Sequence, residues 1–135
     1  MNIDKNIKFD IEKTKLFYKN YSEVCTCAYC RNFCKVINKS YPQLLPFLEQ
    51  FGVIIEKPVE AIDYSWTEDK RRLYQAIYSV HGSIKKEFKM ELEQNISIEF
   101  LMDDKLFDTG MEEPYFLIYI DHLKLNWELE ENPED

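Results

Sequence analysis

The chain has 135 residues, 45% of them hydrophobic and 15% aromatic, with three Gly and five Pro; this is a globular composition, long enough for one hydrophobic core and too poor in Gly and Pro for long linkers. Its formal net charge of −8 is unevenly spread, since residues 1–90 hold 15 Lys/Arg against 11 Asp/Glu while residues 91–135 hold 2 against 14. That distribution excludes the concentrated basic surface that phosphate-backbone binding needs, and no run approaches the roughly 20 apolar residues of a membrane-spanning helix.

The N-terminal stretch MNIDKNIKFDIEK is charged and lacks the apolar run of a signal peptide, so a cytoplasmic location is expected, where thiols stay reduced. Residues 7–11 suit an edge strand or the lead into a short helix over 13–21. Over residues 27–39 the helical wheel divides cleanly. Tyr29, Cys30, Phe33, Cys34, Val36 and Ile37 fall on one side, and Arg31, Asn32, Lys35, Asn38 and Lys39 on the other. A second helix is predicted from Ser40, with Ser40 and Gln43 as a capping box and Pro42 in the first turn; Pro46 bends it or delays its start, and Gly52 ends it. Two helices so closely joined make an αα-hairpin.

Beyond Gly52 the hydrophobic period changes from 3.6 to 2. Residues 59–66, 73–80, 85–92, 96–102 and 115–120 read as strands, and Leu123, Leu125, Trp127 and Leu129 alternate with polar residues as a last, half-buried one. Lys70-Arg71-Arg72, beside Glu68 and Asp69, reads as a turn. No helix long enough for a parallel crossover separates the strands, so the sheet is expected to be mainly antiparallel. The expected fold is α+β: an N-terminal helical portion, the αα-hairpin, packed on an antiparallel β-meander of about five to six strands. Residues 1–129 form one domain in this reading, and residues 130–135 an acidic tail.

All four cysteines lie in CTCAYCRNFC, residues 25–34. As metal ligands, Cys25, Cys27, Cys30 and Cys34 offer four soft thiolates, the complement of zinc or an iron–sulfur cluster, at a spacing shorter than the usual two knuckles. A smaller site uses Cys25, Cys27 and Cys30 with His81 or His122. As a redox pair, Cys27 and Cys30 form a C-x-x-C at a helix N-terminus, without the βαβ context that would make it persuasive. As core, Cys30 and Cys34 are small hydrophobes on the apolar face. His81 and His122 sit in strand contexts outside any short metal motif. No G-x-S-x-G elbow is present, and three glycines leave no phosphate-cradling loop. Asp103, Asp104 and Asp108 with Glu112 and Glu113 do not match a calcium loop and read as a charged turn.

Several stretches together resemble a small bacterial family, mostly from Firmicutes, with no established activity. They are C-x-C-x-Y-C-x-N-[FY] at Cys25–Phe33, Tyr41-Pro42, Phe51-Gly52-Val53 through Glu56-Lys57-Pro58, Thr109-Gly110-Met111-Glu112-Glu113, and Leu123-Lys124-Leu125-Asn126-Trp127. The resemblance implies that Cys25, Cys27, Cys30 and Asn32 are signature positions. Cys34 lies outside the signature, and residues 78–82 depart from the family's more aromatic version, which argues against His81 as a ligand.

With no catalytic constellation, the sequence is read first as a non-catalytic binding domain whose acidic C-terminal half meets a basic protein. The alternatives are a thiolate metal site, zinc in a structural role, and a thiol redox protein. Strand faces solvated by carboxylates are the simpler explanation of the acidic charge.

Overall fold

The computed structural model describes residues 6–102 and 109–133. Asp103, Asp104 and Asp108, and the last two residues of the tail, lie outside that range. The order of elements is β1 (Ile7–Phe9), α1 (Ile11–Asn20), α2 (Ala28–Ser40), α3 (Leu44–Glu49), β2 (Glu60–Trp66), β3 (Arg72–Ile84), β4 (Phe88–Leu92), β5 (Ile96–Met102) and β6 (Tyr115–Leu125). The architecture is α+β, with every described strand pair antiparallel.

Both readings of the N-terminus apply in succession. Ile7–Phe9 pairs with the far end of β3, and Asp10 then caps α1, its carboxylate accepting the Lys13 N–H at 3.0 Å. The predicted capping box at Ser40 is overturned. Ser40 closes α2 instead, its hydroxyl donating to the Val36 carbonyl at 2.7 Å, and α3 begins only at Leu44. Pro46 is the third residue of α3, where a missing N–H has no intrahelical partner to lose. Gly52 ends the hairpin with φ +87°, and the Gly52 N–H to Glu49 and Val53 N–H to Leu48 bonds form a Schellman closure.

The sheet runs β1-β3-β6-β5-β4, with β2 also on β3. The order is therefore not sequential, because β6 returns to lie between β3 and β5. The segments predicted as strands over 115–120 and 123–129 are one strand as far as Leu125. Their alternation changes phase at a bulge, not a turn: Ala76 faces Ile120 and Tyr74 faces Leu123, so Asp121 and His122 oppose the single residue Gln75. His122 takes φ +65° there, which keeps Leu123 and Leu125 on the same face as Ile118 and Ile120. Lys70 has φ +63° in the turn joining β2 to β3, but Arg72, read as part of that turn, opens β3 instead, buried and paired with Asp63.

One edge of β3 is shared between β2, pairing with residues 72–77, and β1, pairing with residues 82–84. Helix α1 fills the gap between them. The Tyr18 hydroxyl donates to the Ser79 carbonyl at 2.9 Å and accepts the Ser79 N–H at 2.8 Å, and the Thr14 hydroxyl accepts the His81 N–H at 3.1 Å. The apolar faces of the helices, including Phe33, Val36, Ile37, Leu44, Leu48 and Phe51, close the core against β3, β5 and β6. Among the described residues no helix is long and apolar enough to cross a membrane.

Candidate metal centre

The cysteine segment is the connection from α1 to α2. Its start is anchored by Lys57, whose ammonium donates to the carbonyls of Tyr18 and Tyr21 at 2.8 and 3.1 Å, where a helix C-terminus favours a cation. Its end is α2, with Cys27 as the N-cap residue and the Cys27 carbonyl accepting the Arg31 N–H at 2.9 Å. Arg31 also reaches back, its Nε donating to the Thr26 carbonyl at 2.9 Å, which fixes the backbone between Cys25 and Cys27.

This chain path brings the sulfurs of Cys25, Cys27 and Cys30 within 4.8 Å of one another. Sulfurs this close could share one metal ion; tetrahedral thiolate coordination at about 2.3 Å from the metal sets them ~3.8 Å apart. All four cysteines are free thiols. Cys25 and Cys27 are exposed and Cys30 is buried, so the cluster opens on one side to water and rests on the core on the other.

The electrostatics differ from the helix-terminus expectation. Cys25, ahead of the helix, is the thiol whose pKa is lowered: the Cys27 N–H donates to its sulfur at 3.5 Å, and the thiols of Cys30 and Cys27 also donate to it, while burial and the Glu60 carboxylate act the other way. Cys30 is pushed up, first by burial and then by its role as donor to Cys25 and Cys27. The neighbouring donors thus favour ionisation at Cys25, while burial opposes it at Cys30.

Cys34 stands apart from this group. It lies one helical turn beyond Cys30, about 6 Å along the axis. Its thiol donates to the Glu56 carbonyl at 3.1 Å, and burial raises its pKa. Neither histidine joins the cluster. His81 is paired opposite Tyr115 in the sheet, and His122 is exposed on the β6 bulge.

Asn32 is not on the water side, where the wheel placed it. It is fully buried, its Nδ2 donating to the Asn126 carbonyl at 3.0 Å and its Oδ1 accepting the Glu128 N–H at 2.8 Å. The reason is that residues 126–129 leave the sheet after β6 and cross α2 on its polar side. Trp127 then packs on Tyr29 and Trp66, with ring centroids 5.8 and 5.6 Å apart.

No family model, no curated protein and no solved structure matches the chain. The functional reading therefore rests on its own residues. Beside the cluster is a cavity of about 80 Å³ lined by Cys25, Cys30 and Cys34 together with Glu23 and Glu60. Neither glutamate belongs to any spacing pattern with the cysteines, so sequence inspection had no means of selecting them; β2 brings Glu60 there only after the sheet has formed.

Proposed function

We propose that this protein is a non-catalytic metal-binding domain that holds one ion, zinc by the softness of its ligands, through Cys25, Cys27 and Cys30. The observation that carries the reading is the convergence within 4.8 Å of two sulfurs from the α1–α2 connection, Cys25 and Cys27, and a third, Cys30, from the first turn of α2. An ion there ties the α1–α2 connection to the first turn of α2, so its role is structural.

Thiol–disulfide exchange through Cys27 and Cys30 has less support, because the thiol with the lowered pKa is Cys25, outside that pair, and the motif lacks a βαβ context. Docking of a basic protein on the acidic third also has a weaker basis once the fold is considered: Glu128 pairs with Lys39 and Glu131 with Arg31, so part of that charge has an intramolecular partner.

The test is elemental analysis of tag-free protein with thiols counted in the same sample, followed by melting with and without a chelator. Stoichiometric zinc, three protected thiols and a melting temperature lowered by the chelator are expected. Metal-free protein with four reactive thiols and an unchanged melt after zinc addition refutes the reading.

A further inference from the structure

Three thiolates leave a tetrahedral ion one ligand short. We infer that the fourth ligand is the carboxylate of Glu60, delivered by the first residue of β2 into the cavity it shares with Cys25 and Cys30. This rests on the metal-binding reading above.

Three observations carry the assignment. Glu60 lines the same cavity of about 80 Å³ as two of the three cysteines. Its backbone is fixed, since it pairs opposite Ile77 and the preceding Val59 N–H donates to the Ile77 carbonyl at 2.8 Å. Its side chain is exposed, so the carboxylate turns toward the sulfurs without abandoning a buried position.

The other candidates fit less well. Cys34 would have to give up its bond to the Glu56 carbonyl. Glu23 lines the cavity from the irregular segment before α2, without the strand pairing that fixes the backbone of Glu60. Both histidines belong to other parts of the sheet. With three thiolates, one carboxylate and a divalent ion, the site carries the same net charge as a four-cysteine centre. The consequence is architectural: the ion joins the α1–α2 connection and α2 to β2, so that loading the site clamps the helical layer to the outer strand.

The experiment is a cobalt(II) titration of the reduced, metal-free full-length chain, followed by absorption, with zinc affinity from competition. Glu60→Gln, Glu23→Gln and Cys34→Ser are run beside the wild type. The wild type should show thiolate-to-cobalt charge-transfer bands and tetrahedral d–d bands that added imidazole does not move. Glu60→Gln should keep the charge-transfer bands, shift the d–d bands, become sensitive to imidazole and lose about tenfold or more in affinity. Glu23→Gln and Cys34→Ser should match the wild type.

An unchanged spectrum and affinity in Glu60→Gln overturns the assignment. So does a loss of charge-transfer intensity in Cys34→Ser, which makes Cys34 the fourth ligand, or an imidazole response in the wild type, which leaves the position to solvent. Absence of charge-transfer bands in every protein refutes the metal site itself, an outcome separate from the failure of Glu60 alone.

Discussion

Asn32 and Tyr18 each do with a side chain what a neighbouring strand would do with its backbone. The Asn32 amide takes the Asn126 carbonyl and the Glu128 N–H, two groups that face the same way on an extended segment. Asn32→Ala leaves both without a protein partner, and a loss of about 2 kcal/mol is expected in urea unfolding, with the midpoint falling at constant slope. A change within error would show that water replaces the amide at no cost. Among the thiols, Cys25 should be alkylated first and Cys30 last in the metal-free protein, because donors to the Cys25 sulfur and its exposure favour reaction there, while burial opposes ionisation of Cys30. Mass mapping of labelled peptides through neutral and mildly alkaline pH checks this, and Cys27 or Cys30 reacting ahead of Cys25 would contradict the site's electrostatics.

At the scale of elements, the edge of β3 is the junction that holds the helical part to the sheet. Tyr18 satisfies both backbone groups of Ser79 between the β2 and β1 ladders. Tyr18→Phe removes the hydroxyl from a fully buried position and should cost about 2 kcal/mol, with faster amide exchange at Ser79 and His81. Gly82 marks the other end of the junction. It has φ +145°, and a Cβ there would lie 2.1 Å from the Lys8 carbonyl oxygen, so only glycine lets β1 come down on β3. Gly82→Ala should displace β1 and cost about 2 kcal/mol or more, seen as lost amide protection over residues 7–9 and 82–84. Retained protection there would mean that β1 tolerates the Cβ.

For the whole molecule, two kinds of group decide how stability depends on conditions. The basic side of α2 meets the acidic C-terminal segment through the exposed pairs Arg31–Glu131 and Lys39–Glu128, which salt screens and which add little by themselves. The buried phenols matter more at high pH. Burial raises Tyr18, Tyr74 and Tyr78 above the usual tyrosine value of about 10, so the folded state binds protons that the unfolded chain releases. Their contribution is complete below about pH 10 and is lost as the pH rises beyond it. In an alkaline titration followed by tyrosinate absorbance and circular dichroism together, these three should ionise only as the fold is lost. Ionisation of all nine tyrosines while the native spectrum persists would refute this.

What the sequence determined by itself is what local chemistry controls. The amphipathic face of α2, the left-handed stop at Gly52, the change to a period of two and the gathering of cysteines in residues 25–34 all follow from nearest neighbours along the chain. Where two residues compete locally the sequence was ambiguous: Ser40 serves equally as the cap of one helix or the last residue of another, and the contact with Val36 decided it. The rest required the third dimension. A helical wheel has no knowledge of a segment ninety residues away, so it assigned Asn32 to water, although residues 126–128 cover that side and bury it. Likewise the cysteine spacing alone left a four-thiol site, a three-thiol site and a core role all open. Backbone direction before residue 28 folds Cys25 and Cys27 onto Cys30, the rise of one helical turn carries Cys34 away, and β2 alone brings Glu60 to the open side.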